Sequence, residues 1–164
     1  MASVDLPEIP GLQLRPQQQA DEPFLRLLFD AARPLAGQLA HLPAQLRETI
    51  MRGQFQAQTA SLAAQFPQAA ALIILVAEEP AGRVMFDAAG DTLHIADIAL
   101  LPGRRGHGLG TALLQGLAAV SAPRKLSLEV ADDNFPAQRL YARLGFVLTG
   151  QQPGFLQLAR QPSG

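Results

Sequence analysis

A run of alternating glycines, placed directly after an apolar segment, constrains this chain more than any other feature. Residues 97–114 read DIALLPGRRGHGLGTALL, with glycine at positions 106, 108 and 110. Glycine lacks a Cβ, so the backbone at these positions can approach a ligand closely and take unusual dihedral angles. The N–H groups that open the following helix favour an anion. With Arg104 and Arg105 beside them, the pattern predicts a phosphate or pyrophosphate site; a solvated glycine-rich turn is the alternative.

The patterns around this loop predict a mixed sheet. Three strands are predicted before it, at residues 71–78, 83–87 and 92–100, as an antiparallel meander with turns at 79–82 and 89–91. After the loop, a helix over 108–122 leads into a strand at 125–130. A strand–helix–strand crossover makes its two strands parallel, so segments 92–100 and 125–130 are expected to run side by side.

The flanking segments add helices and further strands. An extended arm over 1–11 precedes a short strand marked by Leu12 and Leu14. Asp21 is predicted to cap a helix that Pro34 and Gly37 end. Residues 43–66 predict a helical region, which Gly53 is expected to split in two.

A last helix over 134–144 and strands at 146–151 and 155–160 complete the chain. The fold class is therefore α/β (α+β): one domain over residues 1–164, with about six to seven strands and helices on both faces.

Composition excludes several classes of function. The net charge of −1 provides no overall positive field for nucleic acid or acidic lipid. The chain has no cysteine, so it offers no thiolate zinc site, disulfide or acyl-cysteine, and no metal is expected. The longest apolar run, residues 69–77, is too short to span a membrane. The first residues lack the pattern of a signal peptide, and a cytoplasmic location is expected.

Three kinds of phosphate loop compete for the glycine segment. A P-loop requires a lysine that is absent here. The dinucleotide pattern would place its third glycine where Thr111 stands, although Glu129 lies about where a ribose-binding acid would sit. The third pattern, Arg/Gln-x-x-Gly-x-Gly/Ala, is filled position by position by residues 105–110.

Two segments together resemble one family. Residues 98–114 resemble the coenzyme-A-binding motif of the GCN5-related N-acetyltransferases (GNAT). Residues 134–146, NFPAQRLYARLGF, are similar to that superfamily's later motif, N-x-x-A-x-x-L-Y-x-x-x-G-F. The resemblance covers about residues 92–146 and implies the GNAT fold, with acetyl-CoA as co-substrate.

The resemblance also implies roles for particular residues. Backbone groups of Ile98, Ala99 and Leu100 would bind the pantetheine arm, and the N–H of Leu100 is a candidate donor to the thioester oxygen. Asn134 would bond the pantetheine, cap its helix, or do both, and Ala137 belongs to the same motif. Tyr141 would protonate the leaving thiolate. The pyrophosphate would be held by the loop, mainly through backbone N–H groups, at Arg105, Gly106, His107, Gly108, Leu109, Gly110 and Thr111. The side chain of His107 would either contact phosphate or face solvent.

Two assignments stay open at this point. The candidates for the base that deprotonates the amine are His94, Asp97 and Glu129. Strict alternation places His94 and Asp97 on opposite faces of the sheet, unless a bulge near Leu100 changes the parity. For the cofactor's 3′-phosphate the candidates are Arg104, Arg139 and Arg143, which are otherwise solvated.

The expected function is transfer of an acetyl group to a primary amine of a small molecule, amino acid or peptide. Asp30 and Glu48 are the only carboxylates between residues 30 and 66, so a polycationic acceptor is disfavoured. The alternatives are a non-catalytic acyl-CoA-binding module and, more distantly, a dinucleotide-dependent oxidoreductase. A homodimer through the edge of a late strand is compatible with the sequence, which does not demand one.

Overall fold

A computed structural model describes residues 8–32 and 35–162; most of the extended arm expected over residues 1–11 lies outside them. The helices pack around a seven-stranded sheet. The bounds of the helices and strands in chain order are β1 (Gln13–Pro16), α1 (Glu22–Ala31), α2 (Leu35–Gln38), α3 (Ala44–Gln65), β2 (Ala70–Val76), β3 (Glu79–Ala89), β4 (Thr92–Leu100), α4 (Leu109–Ser121), β5 (Lys125–Ala131), α5 (Phe135–Arg143), β6 (Val147–Gln152) and β7 (Phe155–Arg160).

The sheet has the order β1-β2-β3-β4-β5-β7-β6. Each of the first four strands is antiparallel to its neighbour, β4 and β5 are parallel, and β7, which forms an antiparallel hairpin with β6, is antiparallel to β5. The predicted meander and crossover are therefore confirmed. Strand β6 forms one edge of the sheet and exposes Val147 and Leu148.

Helices cover both faces of the sheet, as predicted. On one face, α4 and α5 pack on the strands through a core that includes Leu113, Leu117 and Tyr141. On the other face lie α1 and α3, joined by an edge-on contact between Phe29 and Phe55 with ring centroids 5.6 Å apart. The described helices fall short, in length or in apolar character, of what a transmembrane helix requires.

The helix predicted to break at Gly53 does not break. Helix α3 runs through it for 22 residues, from Ala44 to Gln65. Gly53 is exposed, and a Cβ built on it would meet nothing within 4 Å. One glycine lowers helix stability by only about 1 kcal/mol, which the apolar contacts of the rest of the helix offset.

The turn predicted at residues 79–82 is also wrong. Strands β2 and β3 are joined by Ala77 and Glu78, whose φ angles are 50° and 68°. Two central residues with positive φ match the right-handed twist of a hairpin. Pro80 and Gly82 instead lie within β3, where Ala81 is an extra residue opposite the Ile74–Leu75 step. The proline–glycine signal therefore marks an irregular strand.

The role expected of Asp21 as a helix cap is not observed. Asp21 precedes α1, but its side chain makes no cap hydrogen bond to that helix. Its carboxylate instead accepts two bonds from Arg15, at 2.7 and 2.8 Å, and one from the N–H of Gln18. Helix α1 ends at Ala31; of the two residues expected to end it, Pro34 lies outside the described residues and Gly37 lies within α2.

Candidate active site

Strands β4 and β5 separate towards their carboxyl ends. Their pairing extends from Thr92 opposite Lys125 to Ile95 opposite Leu128 and goes no further. Beyond that point β4 continues to Leu100 and β5 to Ala131. The two strands thereby leave between them a gap edged by unpaired backbone groups.

The backbone at the end of β4 points into this gap. The N–H of Leu101 donates to the carbonyl of Ala81 on β3, at 2.8 Å. Because successive N–H groups of a strand point to opposite edges, the N–H of Leu100 is directed away from β3, towards β5. The carbonyl of Leu100 is reached from that side by Arg105, whose Nε donates to it at 3.2 Å.

The glycine loop after β4 has the conformation that its composition predicts. Gly106 and Gly108 have φ angles of 79° and 76°, and a Cβ built on either would meet nothing within 4 Å. Gly108 is the N-cap of α4, and its carbonyl accepts from the N–H of Ala112 at 3.0 Å. The N–H groups of the first turn of α4, which precede that of Ala112, have no acceptor within the helix, so they are available to an anion.

A groove of about 690 Å³ joins the end of β4, the loop and the starts of α4 and α5. It is lined by the residues that the resemblance assigns to the cofactor, with one exception, and these are Ile98, Ala99, Leu100, Arg105, Gly106, Gly108, Leu109, Gly110, Thr111, Asn134, Ala137 and Tyr141. The exception is His107, whose side chain is exposed outside the lining. Of the three arginines considered for the 3′-phosphate, Arg104 and Arg143 line the groove and Arg139 does not.

Asn134 caps α5. Its Oδ1 accepts a hydrogen bond from the N–H of Ala137, at 3.3 Å. The Nδ2 atom of the same amide carries two further donors, at the wall of the groove. A Cβ built on Gly110, at the start of α4, would lie 3.4 Å from Leu140 of α5, so α5 lies close to the end of the glycine loop. The cap is thus observed, and a bond from Asn134 to pantetheine stays a prediction.

Tyr141 lies where the groove meets the gap. Its ring is buried against Phe146, with centroids 5.6 Å apart. It lines the groove and also a pocket of about 170 Å³ inside the gap, together with Asp97 and Glu129. Burial raises the pKa of the Tyr141 phenol above its ordinary value, and the charge of Asp97 raises it further. The phenol therefore keeps its proton at neutral pH.

A bulge in β4 places His94 and Asp97 on the same face of the sheet. Ile95 pairs with Phe86 and Asp97 pairs with Met85, so Ala96 is an extra residue between them. An extra residue reverses the alternation of side chains beyond it. The expectation of strict alternation is therefore wrong, and the bulge lies at Ala96 rather than near Leu100.

His94 nevertheless lies outside the gap. It pairs with Ser127 in the closed part of the sheet, and its Nδ1 lies 2.8 Å from the Ser127 hydroxyl in a hydrogen bond. Its ring stacks on Phe66 with centroids 5.3 Å apart. Burial lowers the pKa of His94 below its ordinary value, although the nearby carboxylates of Glu129 and Asp87 oppose the change.

Comparison with known proteins agrees with this geometry. The sequence model of the acetyltransferase (GNAT) family matches residues 41–146, which is more than half of the chain. The chain belongs to the GNAT family. It is 36% identical over 77 residues to streptothricin acetyltransferase of Streptomyces lavendulae, a match that covers 45% of this chain and 41% of that protein. The chain thus matches about two fifths of that relative's length.

Solved GNAT structures have the same fold. PaiA N-acetyltransferase from Thermoplasma acidophilum, in complex with coenzyme A, superposes with a TM-score of 0.67 at 12% identity, over 92% of this chain and 98% of its own. Nourseothricin acetyltransferase superposes with a TM-score of 0.53 at 27% identity, over 59% of this chain and 67% of its own.

In this GNAT chain, sequence reasoning missed an ion pair beside the gap. Arg83 of β3 donates through Nε and Nη2 to Oδ2 of Asp97, at 3.1 and 2.6 Å. The side chain of Arg83 is only 12% exposed. The available signal was a charged residue within the apolar strand segment 81–86, because such a residue, when buried, requires a partner.

The two carboxylates between residues 30 and 66 of this GNAT chain, Asp30 and Glu48, both form ion pairs. Arg26 donates to Asp30 at 2.9 Å and to Glu48 at 2.9 and 3.0 Å. Arg52 approaches Glu48 at 3.5 Å. Because each carboxylate faces an arginine, neither forms part of an acidic groove.

Proposed function

We propose that this chain is an N-acetyltransferase that moves the acetyl group of acetyl-CoA to a primary amine by direct transfer in a ternary complex. The observation that best supports the proposal is the position of Tyr141, which lines both the glycine groove and the gap between β4 and β5. The names of two relatives, streptothricin and nourseothricin acetyltransferase, describe acetyl transfer, which supports that part of the proposal.

The groove is suited to coenzyme A along its whole length. The free N–H groups of the loop and of the first turn of α4 would bind the pyrophosphate. Arg104 and Arg143, on its walls, would meet the 3′-phosphate. The pantetheine arm would lie along the open edge of β4, and the N–H of Leu100 would donate to the thioester oxygen as negative charge develops there.

The chemistry needs a proton acceptor and a proton donor on either side of the thioester. The amine attacks the carbonyl carbon, the C–S bond breaks, and the phenol of Tyr141 protonates the thiolate. Asp97 and Glu129 flank the gap and are the better placed bases, acting directly or through water. His94 lies in the closed part of the sheet and is less well placed.

Calorimetric titration with acetyl-CoA, coenzyme A and NAD tests the cofactor part of the proposal. A Gly108→Trp substitution places an indole in the groove. Gly90→Trp is the matched control, since Gly90 also has a positive φ of 58° and open space at its Cβ. It precedes β4, so it lies about 25 Å along the strand from the loop.

We expect micromolar binding of acetyl-CoA and coenzyme A that Gly108→Trp abolishes and Gly90→Trp retains. Turnover of acetyl-CoA with a panel of amines then distinguishes an enzyme from a binding module, because a module would bind without turnover. Preference for NAD, or no binding of acetyl-CoA by the folded protein, would overturn the proposal.

A further inference from the structure

The pair formed by Arg83 and Asp97 has unused hydrogen-bonding groups. Both bonds from Arg83, through Nε and Nη2, reach the same oxygen of Asp97, Oδ2. Among the residues that the structure describes, nothing else is bonded to Nη1 of Arg83 or to Oδ1 of Asp97. The pair therefore offers a cationic donor and an anionic acceptor side by side, on the face of the sheet covered by α1 and α3.

These groups border a small pocket beside the cofactor groove. The pocket has a volume of about 150 Å³ and is walled by Leu25, Leu28, Phe29 and Phe55. Its lining shares Ala32, Ile98 and Ala99 with the groove, so the two spaces adjoin where the thioester would lie.

The acidic and the basic side chain of this pocket lie towards opposite ends of it. Asp97 also lines the gap that contains Tyr141, whereas Arg83 also lines a chamber of about 470 Å³ on the far side, beside Gln17. The acidic end therefore faces the reacting carbonyl, and the basic end faces away from it. The Oε1 atom of Gln17 is buried without a hydrogen-bond partner among the described residues, so that far side is also polar.

We infer that this pocket selects a small zwitterionic acceptor, namely a free amino acid with an apolar side chain. The inference rests on the proposed function and names the acceptor for that same site. The ammonium group faces Asp97 beside the gap, the carboxylate faces Nη1 of Arg83, and the side chain packs on the apolar wall. Opposite charges at the two ends orient the amine towards the thioester.

The resulting reaction is balanced. The nitrogen lone pair forms the C–N bond of the amide and the C–S bond of the thioester breaks. The nitrogen loses two protons in total: one balances the proton that the thiolate takes from Tyr141, and the other is released to solvent. The products are an N-acetyl amino acid and coenzyme A.

Pairs of acceptors that differ only in the carboxylate test the inference. L-leucine, L-methionine and L-phenylalanine are compared with their amides, which keep the amine and the side chain, and with spermidine. A charge-assisted hydrogen bond to Arg83 is lost in each amide, so we expect kcat/KM to be about 10- to 100-fold lower for the amides. Spermidine would bring a second cation towards Arg83, and we expect it to be the poorest acceptor.

Substitution of Arg83 tests the same contact from the protein side. Arg83→Gln should lower the preference for each free acid over its amide, taken as a ratio of kcat/KM values, about 10-fold or more, whereas Arg83→Lys should restore part of the preference. Arg52→Gln is the matched control, since Arg52 is an exposed arginine of α3 outside the pocket. Melting temperature and coenzyme A affinity, measured for every variant, separate loss of the contact from loss of the fold.

Each outcome decides the inference separately from the proposed function. Amides or spermidine acetylated as well as the free acids would overturn the inference and leave the acetyltransferase intact. If no amine is acetylated, calorimetry of L-leucine with the coenzyme A complex decides. Binding that weakens about 10-fold in Arg83→Gln supports the pocket, and no binding of any free acid overturns it.

Discussion

Tyr141 lines both the groove at the glycine loop and the pocket inside the gap between the strands, as do Ile98 and Asn134, and its burial keeps the phenol protonated. We predict that Tyr141→Phe lowers kcat roughly 100-fold or more, since a general acid contributes about 10²- to 10⁴-fold. The variant keeps the ring packed on Phe146. Its affinity for acetyl-CoA should therefore change less than threefold in calorimetry. A kcat within a factor of two of the parent would exclude an acid role for this residue.

Asp21 gives a pH-dependent contribution to stability. Two bonds from Arg15 outweigh the burial of the carboxyl and lower the pKa of Asp21 to about 2. In the unfolded chain the carboxyl of Asp21 has a pKa of about 3.9. Its contribution to the free energy of unfolding is therefore complete above that pH and is lost as the pH falls towards 2. We predict that Asp21→Asn lowers the free energy of unfolding at pH 7 by about 1 kcal/mol, allowing for the solvent around Arg15, which is 34% exposed.

Urea denaturation at pH 7 and at pH 2 measures this contribution. The difference between the parent protein and Asp21→Asn should narrow as the pH falls, because a protonated Asp21 no longer pairs with Arg15. A difference that stays constant from pH 7 to pH 2 would show that the ion pair does not stabilise the fold.

Helix α3 and strand β3 each contain a glycine, and we expect replacement of the two glycines by alanine to change the free energy of unfolding in opposite directions. Gly53 lies exposed in the middle of α3 with open space at its Cβ. Gly82 lies in β3, where a Cβ would collide with the carbonyl of Ala99 on β4. We predict that Gly53→Ala raises the free energy of unfolding by about 0.5–1 kcal/mol, from helix propensity alone.

We also predict that Gly82→Ala lowers the free energy of unfolding by about 1–3 kcal/mol, the usual range for overpacking. It should also weaken acetyl-CoA binding, because the clash displaces the part of β4 that edges the gap. Urea denaturation with calorimetry of both variants checks the contrast. Equal stability of the two alanine variants would contradict the packing that we describe.

Sequence patterns predicted most of the elements because most follow local rules. The crossover of β4, α4 and β5 and the left-handed glycines of the loop are of this kind. Where the prediction was wrong, tertiary packing had overridden a local preference. Gly53 stays helical within α3, and Ala77 and Glu78 form a tight hairpin without the usual turn residues.

At the scale of the whole molecule, the candidate site depends on contacts between segments that are distant in the sequence. The bulge at Ala96 sets which face of the sheet Asp97 occupies, and nothing in the sequence of β4 marks it. Arg83 lies 14 residues from its partner Asp97, on another strand. The glycine loop was predictable because one short segment contains all its parts, whereas the pocket that we propose for the acceptor is assembled from α1, α3, β3 and β4.

The groove joins the end of β4, the loop, α4 and α5, so a ligand bound there should stabilise the fold as a unit. A ligand at 100 times its Kd adds about 2.7 kcal/mol to the free energy of unfolding. For a chain of 164 residues that corresponds to a rise in Tm of roughly 5–10 °C. We predict this rise with acetyl-CoA and with coenzyme A, and no rise with NAD at the same concentration. Gly90→Trp should retain the rise and Gly108→Trp should lose it, whatever the Tm of each free variant. A rise that persists in Gly108→Trp would place the cofactor outside this groove.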